Sequence, residues 1–276
     1  MMKTSLLFNF AFFAGLASAQ LAPPNEAGVS LGHIQLIVKD VDAQTRFWSG
    51  MVGATIVMNE KLAEIQIPGV YLLVRQGEPT GPSAGSVVDH FGFVLKDLPA
   101  ALAKWRASGL TVTQSAFNPN QGNVTAPEGI RLEVFGDPSL TVPVQMNHIH
   151  FSLEREEIPQ IQAWYAKTFG AMPGKRESVA RPGNWLETDD LTGGINLSLS
   201  PAGAKSTVPT KGRAIDHIGF EVRDLEAFCR KLESQGVVLE GPVRRSADSQ
   251  HLKVAFLTDP WGTRIELTEG LSPASN

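Results

Sequence analysis

The chain has 276 residues, of which 42% are hydrophobic and 19% charged, and it carries a formal net charge of −4 at pH 7. That is the composition of an ordinary globular protein with room for one large domain or two small ones, and no basic stretch is dense enough to imply a nucleic-acid partner. The lone cysteine, Cys229, excludes an internal disulfide; with Phe228 beside it and Leu225 and Leu232 at helical spacing, it reads as a small buried hydrophobe.

Residues 1–19 have the layout of a secretory signal: Lys3, an apolar run from Leu6 to Leu16, and Ala17-Ser18-Ala19 as an A-x-A cleavage site. The run is too short to span a bilayer. A secreted or periplasmic protein is expected, with no membrane segment once the signal is removed. Residues 20–30, with Pro23, Pro24 and Gly28, read as an extended leader.

A first module follows. His33-Ile34-Gln35-Leu36-Ile37-Val38 reads as a strand, and the apolar stripe of Phe47, Trp48 and Met51 predicts a helix over 41–53 closed by glycine. Short strands are expected around 55–59, 62–67 and 70–75. Pro79, Gly81, Pro82 and Gly85 mark a linker. The second module starts at His90-Phe91-Gly92-Phe93-Val94-Leu95, has a helix over 98–108 with Leu102 and Trp105, and ends on the strand 130–135. Residues 136–143 read as a domain boundary.

The third module starts at His148-Ile149-His150-Phe151-Ser152-Leu153, with a helix over 158–169. Residues 171–184 read as a long solvated loop whose Lys175, Arg176 and Arg181 have the alternative of meeting an anionic substrate at a barrel mouth. After a second linker over 201–212, the fourth module opens on Asp216-His217-Ile218-Gly219-Phe220-Glu221-Val222, with a helix over 225–235. The tail 270–276 is expected to be disordered.

The repeat carries the chemistry. Each module is strand, helix, then three strands, and each puts a histidine at the same strand position: His33, His90, His148 and His217. Side chains alternate along a strand, so Ile218, Phe220 and Val222 face a helix while His217, Gly219 and Glu221 face the other way. The last strands of modules two and four add Glu133 and Glu266 on that other face; the matching positions elsewhere are Leu73 and Ser198. One repeat cannot bury its apolar face alone and must pair. Pairing consecutive modules gives domains 31–141 and 146–269, with His33, His90 and Glu133 in one and His148, His217 and Glu266 in the other. Two imidazoles and a carboxylate with open positions are the donor set of non-haem Fe(II); Mn(II) suits it as well, and Zn, Co or Ni can occupy it. His150, on the face of His148, and His251, at the start of a late strand, are candidates for moving a proton.

His217-Ile218-Gly219-Phe220-Glu221-Val222-Arg223-Asp224 and Thr258-Asp259-Pro260-Trp261-Gly262-Thr263-Arg264-Ile265-Glu266-Leu267 resemble the vicinal oxygen chelate superfamily of glyoxalases, bleomycin-resistance proteins and extradiol dioxygenases. The resemblance runs from His33 to Glu269. It implies an α+β fold of four βαβββ modules paired into two half-open barrels. It also implies one divalent metal, Fe(II) or Mn(II) by preference, chelated by a small substrate with adjacent oxygens, leading to ring cleavage or isomerisation. By likeness to two-domain extradiol enzymes, His148, His217 and Glu266 are the first-choice ligands and His33, His90 and Glu133 a second site. The chain departs from that pattern in having Phe256 near the place of a family tyrosine, while Leu73 and Ser198 differ from the two-glutamate set of glyoxalase I types. The alternative is a metal-free protein that sequesters a small molecule in the barrel. A homo-oligomer is compatible with either.

Overall fold

The computed structural model describes residues 21–271 except 61, 179–182, 193–194 and 203–206; the segment 1–19 expected to be a signal, Arg181 and residues 272–276 lie outside that set. All four modules are formed. The first is β1 (Val29–Val38), α1 (Val41–Arg46, running on as a π-helical turn over Phe47–Val52), β2 (Thr55–Asn59), β3 (Leu62–Ile67) and β4 (Val70–Gln76). The second is β5 (Val88–Leu95), α2 (Leu98–Ala107), β6 (Val112–Gln114), β7 (Gln121–Thr125) and β8 (Arg131–Gly136). The third is β9 (Val144–Leu153), α3 (Ile158–Phe169), β10 (Met172–Glu177), β11 (Trp185–Thr192) and β12 (Ile195–Pro201). The fourth is β13 (Ile215–Val222), α4 (Leu225–Ser234), β14 (Arg244–Arg245), β15 (Lys253–Thr258) and β16 (Arg264–Glu269).

The local signals act as chemistry requires. Asp40, Asp97 and Asp224 each accept a hydrogen bond from a backbone N–H of the first helical turn, satisfying a donor that the helix leaves open. Gly53 and Gly170 close their helices at φ 85° and 71°, where a side chain would be strained. The segment after α3 is a strand, β10, where a loop was expected, and it pairs antiparallel with β11 from Met172 to Glu177.

The expected pairing of consecutive modules is not the pairing of the sheets. One eight-stranded sheet runs β14-β15-β16-β13-β1-β4-β3-β2 and the other β10-β11-β12-β9-β5-β8-β7-β6. Module one therefore shares its sheet with module four, and module two with module three, through antiparallel β1–β13 and β5–β9 pairs. The segment 137–143 is short enough to lead β8 directly to β9 within one sheet. The two longer linkers cross between the sheets side by side: Val87 and Val208 donate to Val208 and Gly85, and Ala214 to Gly81. Consecutive modules meet through their helices instead. Phe47 stacks near Trp105 at 6.4 Å and Phe169 near Phe228 at 6.2 Å. One apolar core, with Trp48, Trp105, Phe91, Phe151 and Phe220 fully buried, runs through all four modules.

Each sheet curls without closing, its helix-packed face turned to that core and the other face forming a half-barrel. In the β1/β13 half-barrel that concave face holds a second apolar cluster: Tyr71, Leu73, Leu252, Val254 and Leu271, with Leu21 and Phe256 against it. Leu271 was expected in a disordered tail, yet it is buried, because Glu221 accepts hydrogen bonds from the N–H groups of Gly270 and Leu271.

Candidate metal centres

The concave floor of each half-barrel carries one histidine–glutamate cluster. In the β1/β13 half-barrel, His33, His217 and Glu266 come together; in the β5/β9 half-barrel, His90, Glu133, His148 and His150 do. Both expected ligand sets are thus divided between the two sheets. His148 stands apart from His217 and Glu266, and His33 apart from His90 and Glu133, because the sheets pair modules one with four and two with three.

The histidines of modules one and three cross onto the partner module. His33 pairs in register with Gly219, and His148 with Gly92. A Cβ on Gly219 would overlap the His33 ring, and one on Gly92 the His148 ring. Glycine at these two places makes room for the partner's imidazole, so each site is assembled from two modules.

Glu266 Oε2 lies 3.0 Å from His33 Nε2 and 2.9 Å from His217 Nε2. Glu133 Oε2 lies 3.2 Å from His148 Nε2 and 3.6 Å from His90 Nε2. Donors about 2.1 Å from one ion and about 90° apart are roughly 3.0 Å from each other, so both sets have the spacing of neighbouring ligands. The Nε2 atoms of His90 and His148 are buried and have no hydrogen-bond partner. A lone pair that is buried and unused costs free energy unless something accepts it, and a cation facing both rings does so. The residues fit a divalent metal.

The surroundings fix the tautomers. His90 Nδ1 is 2.8 Å from Asp89 Oδ1, and His217 Nδ1 is 2.5 Å from Asp216 Oδ2. A carboxylate only accepts, so Nδ1 carries the proton, and with a metal bound Nε2 would offer its lone pair to the floor of the barrel. Each aspartate is held in turn by an arginine, Arg131 on Asp89 and Arg264 on Asp216. Asn147 Oδ1 does the same for His148 Nδ1 at 2.8 Å. Gln121 donates to Glu133 Oε1 at 2.8 Å, turning Oε2 toward the two rings.

Electrostatics follow from burial and these partners. Burial works against ionising Glu133, but the facing imidazoles of His148 and His90 outweigh it and hold the carboxyl well below the usual carboxylate range. Glu266 is held down in the same way by His217 and His33. Burial opposes charge on His90 and His217, yet their aspartate and glutamate partners win and raise both pKa values. Burial dominates at His33 and His148, which are lowered. His150 is driven well below its ordinary value, by burial first and then by His90 and His148.

The remaining candidates separate cleanly. His150 stacks on His90 with ring centroids 4.3 Å apart and stands 5.9 Å from the His148 ring. His251 is exposed at the rim, its Nδ1 3.0 Å from Glu60 Oε1, where the β2–β3 turn meets the segment before β15; it is not part of either cluster. Lys175 pairs with Glu187 at 3.0 Å on the surface. Arg176, read as a solvated loop residue with an anionic substrate at the barrel mouth as the alternative, donates from Nη2 to Ser198 Oγ at 2.9 Å inside the β5/β9 half-barrel. The signal that finds it is the alternation of β10, which sends Lys175 and Arg176 to opposite faces. Asp89, Asp216 and Asn147 were missed, although each directly precedes its histidine in the sequence.

Four βαβββ modules in two sheets, each with a buried two-histidine, one-glutamate floor, define a two-barrel α+β protein with metal-ligand-type sites. Residues 146–267 match the model of the Glyoxalase/Bleomycin resistance protein/Dioxygenase superfamily. Glyoxalase I from Zea mays is similar in fold, with a TM-score of 0.66 at 16% identity over 87% of this chain and 92% of that one. A mutant of the same enzyme gives 0.67 at 13% identity, over 88% and 94%. A Bacillus subtilis protein to which dioxygenase activity is ascribed gives 0.62 at 15% identity, over 91% and 86%. No curated protein matches the sequence significantly.

Proposed function

We propose that the β5/β9 half-barrel is the reactive one, and that His90, Glu133 and His148 hold a divalent metal, Fe(II) or Mn(II) by preference, with Zn, Co or Ni able to replace it. The substrate is a small molecule with two adjacent oxygens, and the reaction is ring cleavage or isomerisation. The observation that carries this reading is the pair of buried imidazole nitrogens, on His90 and His148, that lack a hydrogen-bond partner and face one carboxylate oxygen. The lining supports it. Asn123, Asn196, Ser198 and Ser200 share the concave face with the cluster by strand register, whereas the other half-barrel is filled above its cluster by Tyr71, Leu73, Val254 and Phe256.

The metal, when bound, supplies Lewis acidity that polarises the chelated oxygens and stabilises negative charge developing on them. Asp89 and Asn147 hold the ligand rings with Nε2 inward. Gln121 holds the carboxylate. His150, neutral because burial disfavours its charged form, is placed to take a proton from the substrate oxygen or carbon nearest His90. The first half-barrel, in this reading, binds metal without admitting substrate. Export by the 1–19 signal belongs to the same reading, and the mature amino terminus at Gln20 checks it.

The test is metal analysis of protein purified without chelator, for the wild type, His90→Ala and His217→Ala, followed by assay with catechols under O2 and with 2-oxoaldehyde adducts under Ar. Turnover lost with His90→Ala and kept with His217→Ala supports the assignment. No metal uptake from Fe(II), Mn, Co or Zn in any sample overturns it in favour of a metal-free binding protein.

A further inference from the structure

The two half-barrels differ at two charged positions that neither metal cluster explains. Arg176 stands on the concave side of β10. Its Nη2 is fixed by Ser198 Oγ at 2.9 Å, and its Nε is buried with no hydrogen-bond partner. Among the described residues, no carboxylate lies within ion-pair distance of it. Strand register places it beside the cluster: Arg176 pairs with Leu186, and Ser198 pairs with both Thr188 and His150. A guanidinium keeps its charge at any physiological pH, so this site presents an uncompensated cation with unused donors.

The equivalent positions of the other half-barrel give the opposite sign. By register, Leu73 answers to Ser198, Glu64 to Thr188 and Asn59 to Arg176. That half-barrel has gained a buried carboxylate, Glu64, and lacks the arginine. Charge counting then sets the ligand. A divalent ion with Glu133 leaves one positive charge, which a singly ionised pair of adjacent oxygens neutralises. Arg176 leaves one more, and the fork of Nη and Nε donors suits a planar carboxylate.

We propose that Arg176 anchors a carboxylate carried by the substrate in addition to its adjacent oxygens, so that the substrate class is a small carboxylated catechol, or a 2-hydroxy or 2-oxo acid that bears a second carboxylate. Ser198 is the positioning residue for the guanidinium. The inference rests on the metal reading for the adjacent oxygens and on Arg176 alone for the carboxylate.

The experiment is calorimetric titration of catechol and of 3,4-dihydroxybenzoate into Co(II)-loaded and chelator-treated protein, for the wild type, Arg176→Met and Arg176→Lys. The wild type is expected to bind the carboxylated probe about ten- to a hundredfold more tightly than catechol, the range a charge-assisted hydrogen bond supplies. Arg176→Met is expected to lose that preference while its metal content and catechol affinity stay unchanged; Arg176→Lys is expected to keep part of it. A preference that survives Arg176→Met, or equal affinities in the wild type, overturns the proposal. A preference that persists without metal and depends on Arg176 supports the anchor even where metal uptake fails, which separates this inference from the metal reading.

Discussion

Gly92→Ala tests how the site is built. Gly92 is ordinary extended backbone, and its only peculiarity is that the His148 ring lies where its Cβ would be. Carbon atoms rest at about 3.5–4.0 Å, so the ring must retreat by roughly 1.5 Å, many times the tolerance of about 0.2 Å on a metal–ligand bond. His148 has no free space to use, being wholly buried. The overpacking should cost about 1–3 kcal/mol, which for a chain of this size lowers Tm by about 2–12 °C. Gly92→Ala should therefore remove the same metal equivalent as His148→Ala and leave that of His33→Ala intact. Combined with His148→Ala, whose smaller side chain frees the space, it should cost little more than either alone. Metal analysis and thermal unfolding of the single and double variants are the assay. If Gly92→Ala keeps full metal content and a Tm within 1 °C of wild type, or if it disables the His33 site instead, the argument is wrong.

The other half-barrel should respond as a structural element. His217→Ala leaves Asp216 and Glu266 buried without their shared partner and should destabilise by about 3–5 kcal/mol, read by urea denaturation, with turnover per folded molecule unchanged. Leu271→Ala, which empties a buried position of the apolar plug, should cost about 2–5 kcal/mol and loosen protection of the Gly270 amide in hydrogen exchange. His150→Asn should lower kcat with metal content unchanged, and a kcat equal to wild type removes His150 from the chemistry. Asp189, buried on the α3 side of β11, has its pKa raised to about 7, by burial first. The native state therefore holds a proton that the unfolded chain, with a pKa of about 3.9, has already released. Stability falls as pH rises from about 4 to about 7, by at most about 4 kcal/mol, and is level above. Asp189→Asn should flatten that fall; urea midpoints at four pH values that run parallel for the two proteins would refute this.

Some features were legible because they are local. The period-2 strands, the aspartate-capped helices and the linkers follow from side-chain alternation and capping within a few residues. The repeated histidines and the glutamates Glu133 and Glu266 were legible by matching positions across repeats. His251 was misplaced because a strand start does not say whether the residue faces the barrel floor or its rim; here it meets Glu60 at the rim. Arg176 was set among loop residues because Pro173 and Gly174 argue against a strand locally; hydrogen bonding along β11 overrides them.

The sequence by itself determined that each site needs one module of each kind. Modules two and four have glycine two residues after the histidine and a glutamate on the last strand, while modules one and three have Gln35 and His150 at the first place and Leu73 and Ser198 at the second. A ring from the second kind fits only over a glycine of the first, which forbids pairing one with three or two with four. It permits one with two and three with four just as well as one with four and two with three. The choice between those belongs to the tertiary structure: the short segment 137–143 carries β8 to β9 in one sheet, the two long linkers bind each other between the sheets, and the helices of consecutive modules fill the core between them. Those are contacts between distant residues, and no local pattern encodes them.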